Sequence, residues 1–313
     1  MGNVIYKELG ASLQYDEDTD RFVGFTIPSP LSVCYKITKT CNLRCGYCIA
    51  TSSPEAAYGL PTDKARLLIE KVAESGIKRM DVTGGEPFLR KDIMELLSYS
   101  VELGLETVVT TNGYYITEDI AQQLAKLNIF TQVSIDGPLP VMDRVRGKGA
   151  FDVAVNALKI LNAAGVQTRI NCVLQKRYAE AFDEIMPHMV SLAESIGTGS
   201  IYFIVVCAQG RASKARDKFC FTPAEESEIR KRIQAIREQS SVKVKMLDFR
   251  QYTKACVLVD TFGEFIAQGW SDEECVNTGN IFERDIKDLW VNSGAFDHAI
   301  HLLQYLRHPA LYQ

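Results

Sequence analysis

Residues 32–48 read SVCYKITKTCNLRCGYC, a short run of β-forming residues followed at once by three closely spaced cysteines. The run itself predicts a buried strand over residues 32–37. Three residues separate Cys41 from Cys45, and two separate Cys45 from Cys48. Thiolates with this spacing on one loop can hold three corners of a [4Fe–4S] cluster and leave the fourth iron open. The sequence therefore predicts a metal centre just after this strand.

Two other interpretations of the cysteine loop are possible, a structural zinc site and three thiols packed in a hydrophobic core. A structural zinc site usually has four nitrogen or sulfur ligands, and no fourth cysteine or histidine is near, since the first histidine is His188. Three thiols packed in a hydrophobic core would fit poorly with neighbours such as Asn42 and Arg44. The open-cluster interpretation fits best, because an open iron could chelate the amino and carboxylate groups of a methionine moiety.

Beyond this loop, short β-branched runs alternate with amphipathic stretches as far as about residue 206. The predicted strands are Ser32–Ile37, Arg79–Val82, Thr107–Thr111, Gln132–Ile135, Gln167–Val173 and Ile201–Val206. The predicted helices are Thr62–Glu74, Lys91–Leu103, Thr117–Leu127, Phe151–Ala164 and Glu180–Ser195. Repeated strand–helix units favour parallel strands with right-handed crossovers, so we expect an α/β fold, a partial (βα)6 TIM-like barrel that functions at its strand C-termini.

The flanking segments follow different patterns. Residues 1–30 are predicted to be a short preamble, in the form of a hairpin, and residues 31–212 to form the barrel. Residues 213–313 are predicted to form a small α+β C-terminal extension. It has a charged helix at Pro223–Ser240, short strands near residues 242–246, 255–259 and 264–267, and a mainly helical segment over residues 285–306.

Composition excludes several classes of function. The chain has 35 basic and 39 acidic residues and no long basic run, so nucleic acid is not an expected partner. It has neither a signal-peptide pattern at its N-terminus nor an apolar run of the roughly 20 residues that span a membrane. Its nine cysteines then predict reduced thiols rather than disulfides. We expect a cytoplasmic protein with no membrane partner.

The CxxxCxxC motif after the first strand, with aromatic Tyr47 before its last cysteine, resembles the signature of the radical S-adenosylmethionine (SAM) superfamily. The combined match extends over roughly residues 31–212. This resemblance implies one [4Fe–4S] cluster, SAM as cofactor, and a reductant such as flavodoxin or ferredoxin. It also implies that an electron from the cluster cleaves SAM to a 5′-deoxyadenosyl radical, and that Tyr47 lies near the adenine.

A second motif, Thr-Gly-Gly-Glu-Pro, follows the second predicted strand and includes Gly84, Gly85, Glu86 and Pro87. Two glycines let the backbone approach a ligand closely, and proline restricts the exit from the turn. Alone, the sequence could equally be an ordinary turn. After a CxxxCxxC motif it resembles the family's GGEP motif, which implies that these residues bind the methionine amino group of SAM.

Polar residues also end the next two predicted strands. Asn112 follows the third, and Ser134 and Asp136 follow the fourth, so hydroxyl, amide and carboxylate groups could accept ribose hydrogen bonds at the barrel mouth. Turn or helix-cap roles are the alternative. The following Arg146 could form a bidentate pair with the cofactor carboxylate or, equally, a surface salt bridge.

The tail resembles the SPASM/twitch subgroup, whose tails hold further clusters, but it is poor in cysteine. Gln268 takes the place of the subgroup's second tail cysteine, and the later cysteine run is missing. A second cluster would need scattered residues, drawn from Cys207, Cys220, Cys256 and Cys275, and is not expected. Cys256 could instead donate a hydrogen atom to a substrate radical, although a small core residue is the more common fate of such a cysteine.

These features predict an enzyme that abstracts hydrogen from a small-molecule substrate such as a sugar, aminocyclitol or nucleoside. Epimerisation, dehydrogenation or a related rearrangement would follow, and epimerisation requires a hydrogen donor such as Cys256. Only about 40 residues precede Cys41, which favours a small molecule over the alternative, a ribosomally made peptide. A second alternative is a non-catalytic protein that binds a cluster or SAM as a scaffold.

Overall fold

A ten-stranded sheet forms the centre of the described part of this computed structural model, which covers residues 12–16, 21–26, 29–30, 32–250 and 257–291. Before it in the chain, β1 (Ser12–Asp16) and β2 (Arg21–Thr26) pair as an antiparallel hairpin. The strands of the large sheet are β3 (Ser32–Thr38), β4 (Arg79–Gly84), β5 (Glu106–Thr111), β6 (Phe130–Ser134), β7 (Thr168–Leu174), β8 (Ser200–Val205), β9 (Lys243–Leu247), β10 (Val257–Val259), β11 (Glu264–Ala267) and β12 (Val276–Asn280).

Helices connect the strands of the sheet. In the described chain, five helices of eight or more residues lie between β3 and β7, a sixth crosses from β7 to β8, and another precedes β9. The helices are α1 (Thr62–Glu74), α2 (Ile93–Glu102), α3 (Glu118–Lys126), α4 (Leu139–Arg146), α5 (Ala150–Ala163), α6 (Phe182–Ile196), α7 (Arg216–Phe219), α8 (Pro223–Arg237) and α9 (Ile286–Val291). None of the described helices is both long and apolar enough to cross a lipid bilayer.

The strand order of the large sheet is β12-β11-β10-β3-β4-β5-β6-β7-β8-β9. From β3 to β9 each strand pairs in parallel with the next strand along the chain. Helical crossovers between parallel neighbours bring all the strand C-termini to one end of the sheet. This arrangement confirms the predicted partial barrel and places the cysteine loop at its working end, after β3.

The burial of side chains alternates along β3 and distinguishes the two faces of the sheet. Val33, Tyr35 and Ile37 are each at most 1% exposed and belong to one hydrophobic cluster with residues of α1. The intervening residues Cys34 and Lys36 are half-buried. One face therefore packs against the helices, and the other faces the interior of the open barrel.

The tail contributes strands to both edges of the same sheet. β9 pairs in parallel with β8 at one edge, and β10 pairs in parallel with β3 at the other. β11 and β12 extend the second edge with antiparallel pairing. The extension is α+β as predicted, but it continues the barrel sheet rather than forming a sheet of its own.

The predicted strands and helices match the observed ones within a few residues, and α1 has the predicted bounds. Three of the named elements were not predicted, α4, α7 and β12. The predicted helix over residues 285–306 is described only at α9, and its remainder lies outside the described residues. Cys256, the candidate hydrogen donor, also lies outside them.

Candidate functional site

The loop after β3 carries the three cysteines and is closed by hydrogen bonds within itself. The backbone N–H of Cys41 donates to the carbonyl of Ser53 at 3.0 Å, and the Thr40 hydroxyl donates to the carbonyl of Ala56 at 2.9 Å. Within the motif, the N–H of Cys48 donates to the carbonyl of Cys45 at 3.2 Å. These contacts fold the loop over the end of the barrel and limit how far the cysteines can move.

The three thiols differ from core cysteines in their surroundings. Cys41, Cys45 and Cys48 are half-buried, whereas Cys172 in β7 is fully buried. The N–H of Leu43 donates to the Cys41 sulfur at 3.4 Å, which is a contact that favours a thiolate. Burial nevertheless raises the pKa of Cys41 to about 11. The metal-free thiol is therefore protonated near neutral pH, and a metal that bound there would have to displace its proton.

Within the described residues, no group of three or more His, Cys, Asp or Glu side chains is arranged to hold a single metal ion. A cubane cluster does not need such convergence, because each thiolate binds a different iron. A four-coordinate zinc site does need it. Three thiols on one loop supply the donor set of a cluster, one sulfur for each of three irons.

The Gly-Gly-Glu turn after β4 holds the start of the cysteine loop. The N–H of Gly85 donates to the carbonyl of Thr38 at 2.7 Å, and the N–H of Glu86 donates to the carbonyl of Thr40 at 2.9 Å. A Cβ on Gly85 would lie 2.0 Å from the Thr40 oxygen, so only glycine allows this approach. The next residue, Pro87, is buried at the start of a short 3-10 turn. The motif thus joins the ends of β3 and β4.

The Glu86 carboxylate is occupied inside the protein. Glu86 is 1% exposed. Its carboxylate accepts hydrogen bonds from the Thr111 hydroxyl and the Asn112 N–H, each at 2.8 Å, and from the Phe88 N–H at 3.2 Å. Burial, opposed by these hydrogen bonds, raises its pKa to about 7. The carboxylate therefore joins β4 to β5, and direct contact of Glu86 with SAM stays a prediction.

The raised pKa of Glu86 makes stability depend on pH. The folded pKa of about 7 lies above the ordinary value, so the folded state binds the proton more tightly and loses stability as pH rises from about 4.5 to about 7. The free energy of unfolding of Glu86→Gln minus that of wild type should rise by about 2–3 kcal/mol when the pH is raised from about 5 to about 8. Denaturant titrations at the two pH values measure this change, and a difference that does not vary with pH would contradict it.

Asn112, at the end of β5, contacts the cysteine loop. Its side-chain amide donates to the Asn42 side-chain oxygen at 2.8 Å, and its own oxygen accepts from the Tyr114 N–H at 3.1 Å. The same amide nitrogen lies 3.9 Å from the Cys41 sulfur. Asn112 is therefore beside the first cysteine, at the predicted end of the barrel. Its ribose contact stays a prediction.

Asp136, Arg146 and Tyr47 form a buried network. The Arg146 guanidinium donates to both Asp136 carboxylate oxygens, at 2.8 and 3.2 Å, and the Tyr47 hydroxyl donates to the same carboxylate at 2.6 Å. The N–H of Val173 adds a third donor at 3.2 Å. Arg146 was predicted to pair with the cofactor carboxylate or with a surface acid. Its carboxylate partner in this structure is Asp136, because helix α4 turns the guanidinium back onto the end of β6.

Ser134 lies at the C-terminal end of β6, opposite Asn171 in the sheet register. It is half-buried, and no hydrogen bond to its hydroxyl is formed by the described residues. Among the predicted cofactor residues, its side chain is thus available to a ligand, whereas those of Glu86, Asp136 and Arg146 already have internal partners.

The Gly210-Arg211-Ala212 sequence after β8 predicts that Arg211 reaches substrate or cofactor or else forms a plain turn, and in the structure Arg211 contacts the cysteine loop. Its guanidinium donates to the carbonyl of Cys45 at 2.9 Å and also to the carbonyl of Ser52, and its backbone N–H donates to the carbonyl of Cys48 at 3.0 Å. The adjacent Gly210 has a φ of +58°, and a Cβ there would lie 2.6 Å from the Cys48 oxygen. The turn after β8 therefore holds the cysteine loop, which follows β3, by hydrogen bonds to the loop's carbonyl groups.

The tail cysteines have protein neighbours of their own. Cys207 and Cys220 are buried. Cys275 is half-buried, and its thiol donates to the Ser271 carbonyl at 3.3 Å. Gln268, which was compared with a SPASM/twitch cysteine only by resemblance of sequence, donates from its amide to the side-chain oxygen of Gln209 at 3.1 Å. Gln268 and Gln209 thus form a hydrogen-bonded pair of glutamines at this place in the tail.

Comparison with known proteins gives consistent results. A family model described as the Radical SAM superfamily matches residues 35–186. The AdoMet-dependent heme synthase of Methanosarcina barkeri is 27% identical over 300 residues, which are 86% of this chain and 84% of that protein. The mycofactocin maturase MftC of Mycolicibacterium smegmatis is 32% identical over 161 residues, which are 50% of this chain but only 41% of that protein.

Among solved structures, Streptococcus suis SuiB bound to the precursor peptide SuiA has the same fold. Its TM-score is 0.73 at 17% identity, and the match covers 95% of this chain and 69% of SuiB. SuiB bound to S-adenosylmethionine gives a TM-score of 0.71 at 16% identity. At this level of identity the likeness concerns the fold alone.

Proposed function

Because this chain belongs to the radical SAM superfamily, whose cofactors are a [4Fe–4S] cluster and SAM, we propose that Cys41, Cys45 and Cys48 bind three irons of the cluster. The observation that carries this proposal is the half-buried trio of thiols on one loop, beside a backbone N–H that already points at the Cys41 sulfur. The remaining iron is left for SAM. When bound, the cluster supplies the electron that cleaves a carbon–sulfur bond of SAM.

The surrounding residues hold this loop in place for the reaction. The Gly85 backbone fixes the loop's entry, and Arg211 holds its far side through two carbonyl oxygens. The Asp136–Arg146 pair holds Tyr47, one residue before the last cysteine. A loop supported from three sides loses little conformational freedom when it binds its cofactors, which favours binding.

For SAM itself, we propose contacts that the geometry leaves available. The backbone of Gly84 and Gly85 lies at the strand ends beside the cysteine loop, and the half-buried Ser134 hydroxyl is available as a hydrogen-bond partner. Tyr47 and Asn112 border the same region. The carboxylate of Asp136 and the guanidinium of Arg146 act indirectly, by positioning Tyr47.

The substrate that this site supports best is a polar small molecule, from which the enzyme abstracts a hydrogen atom. The similarity to a protein named for heme synthesis extends over 86% of this chain, whereas the similarity to a peptide maturase extends over 50%. The longer match therefore reaches into the tail and favours a substrate that is not a peptide. Cys256 remains our proposed hydrogen donor for a redox-neutral epimerisation.

Modification of a ribosomally made peptide is the second candidate. The 32% identity to MftC over the barrel supports it, as does the fold shared with SuiB, a structure determined with its precursor peptide. The two candidates differ in the size and chemistry of the molecule that must enter the barrel.

Cleavage of SAM is the test of the proposed function. Protein reconstituted anaerobically with iron and sulfide, reduced with dithionite and given SAM should form 5′-deoxyadenosine, and omission of the reductant should prevent this. A non-catalytic scaffold would bind SAM and form none, which would overturn the proposal. Addition of a low-mass cell extract should increase the rate, and the increase should survive peptidase treatment if the substrate is not a peptide.

A further inference from the structure

A cavity of about 550 Å³ opens at the end of the barrel opposite the cysteine loop. It lies at the N-terminal ends of the parallel strands and is bordered by the turns that precede β7 and β8. Its size suits a small organic molecule rather than a single ion. The lining includes Arg79, Glu106, Phe130, Arg169, Tyr202 and Lys243.

Positive charge at this cavity exceeds negative charge. Arg79 forms salt bridges with Asp81 at 2.8 Å and with Glu106 at 3.3 Å, so both carboxylates are already engaged by one guanidinium. Within the described residues, Arg169 and Lys243 form no salt bridge. The cavity is therefore lined by cations whose charge its own acids do not neutralise.

Arg169 is held in a fixed orientation without a carboxylate. Its Nε donates to the Asn171 side-chain oxygen at 3.1 Å, and its guanidinium lies 3.8 Å from the centre of the Tyr202 ring and 5.6 Å from that of Phe130. Burial lowers the pKa of Arg169 from its usual value. A stacked guanidinium of this kind is well suited to a planar or forked anion.

A lysine on the neighbouring strand adds to this charge. Lys245 lies opposite Tyr202 in the β8–β9 register, and its ammonium is 5.7 Å from the centre of the Tyr202 ring. Burial, together with the positive charges of Lys243, Arg237 and Arg169, lowers the pKa of Lys245 to about 8. Mutual repulsion of these cations costs stability in the free protein, and an anion would relieve it.

Polar side chains connect this cavity with the cofactor end of the barrel. Along β7, Arg169, Asn171 and Val173 point to the same face of the sheet, and the Val173 N–H donates to Asp136 at 3.2 Å. The Asn171 amide donates to the Gln132 side-chain oxygen at 2.7 Å. Four residues of strand span about 13 Å, which is the length of a modest organic molecule.

We propose that this cavity binds an anionic group of the substrate, a carboxylate or a phosphate, with Arg169 as its principal partner, and that Lys245, next to the lining residue Tyr202, adds positive charge from outside the lining. The rest of the molecule would extend through the polar interior of the barrel toward the cofactors. The inference rests on the proposed function only in taking the barrel interior as the place of the substrate.

Binding of defined probes to the reconstituted holoprotein tests this proposal. Gluconate supplies a carboxylate, ribose 5-phosphate supplies a phosphate, and ribose is the uncharged reference; calorimetry at low salt measures each affinity. At least one anionic probe should bind more tightly than ribose. Arg169→Gln should weaken that binding roughly tenfold, and Lys245→Gln should weaken it less. Preference for one probe identifies whether the group is a carboxylate or a phosphate.

Arg66→Gln is the matched control: Arg66 of α1 pairs with Glu95 of α2 away from the cavity, so this variant should leave the affinity unchanged. Arg169 is half-buried and forms no salt bridge within the described residues, so Arg169→Gln should keep a Tm close to that of wild type, and an unchanged Tm excludes misfolding as the cause of weaker binding. Binding of neither anion to wild type, or equal affinities for the two arginine variants, would overturn the proposal. Formation of 5′-deoxyadenosine by wild type is measured separately, so failure of the proposed function would be seen independently.

Discussion

Replacement of Cys45 by alanine should remove the cluster and with it all formation of 5′-deoxyadenosine. A cubane held by only two thiolates loses one of its three protein anchors, and no other thiol in the described chain belongs to this loop. Iron content after reconstitution should fall from about four per chain to a small fraction of that value, and the brown colour should disappear. Iron analysis and visible absorption measure both effects.

The alanine side chain keeps the backbone contacts of this position. The Cys45 carbonyl would still accept from Arg211 and from the Cys48 N–H, so the loop should keep its course. Cys172→Ala is the matched control, because it removes a thiol that is buried in the core of β7. It should lose some stability but keep its iron. A Cys45→Ala protein with a full cluster would show that Cys45 is not a ligand.

Replacement of Arg146 by glutamine should destabilise the fold by about 3–5 kcal/mol. The Asp136 side chain is completely buried, and Arg146 is the cation that neutralises it in the described structure. Without the guanidinium, a carboxylate would remain buried with only the Tyr47 hydroxyl and the Val173 N–H as donors. Denaturant-induced unfolding, followed anaerobically, measures the loss.

Removal of both charges distinguishes this explanation from simple loss of packing. The double variant Asp136→Asn/Arg146→Gln leaves no unpaired ion, so it should recover much of the stability that Arg146→Gln loses. Tyr47→Phe removes one hydrogen bond to the pair and should cost only about 1 kcal/mol. A double variant no more stable than Arg146→Gln would contradict the role of the ion pair.

The barrel could be predicted because its signals are local. Period-two and helical patterns mark the elements from β3 to β8, and the polar residues after each strand must meet at one end once the strands are parallel. The same argument predicted that Cys41, Glu86, Asn112 and Asp136 lie at one end of the barrel. In the structure Asn112 contacts Glu86 and the cysteine loop, and Asp136 contacts that loop through Tyr47.

Elements of the site that depend on distant parts of the chain could not be predicted. Arg211 contacts Cys45, which is 166 residues away in the sequence, and the Gly-Arg-Ala sequence around Arg211 does not indicate that contact. Arg146 turns toward Asp136 because Leu139–Arg146 forms a helix, whereas Pro138 and the residues before it indicate only a turn. A side chain's partner follows from the path of the backbone, which the pattern of residue types does not specify.

The tail shows the same limit at the level of the sheet. Short strands were predicted near residues 242–246 and 264–267, close to the observed β9 and β11. Whether such strands pair among themselves or extend another sheet depends on which edges are open. Here β3 and β8 both offer parallel edges, and the tail strands β10 and β9 cover them.

The most direct test of the central claim is electron paramagnetic resonance of the reduced protein with and without SAM labelled in its methionine amino and carboxylate groups. An open iron at a cluster held by Cys41, Cys45 and Cys48 predicts that labelled SAM changes the spectrum and that its nitrogen and oxygen nuclei couple to the cluster spin. A cluster whose spectrum SAM does not alter, or one that is coordinated at all four irons by protein groups, would contradict the account.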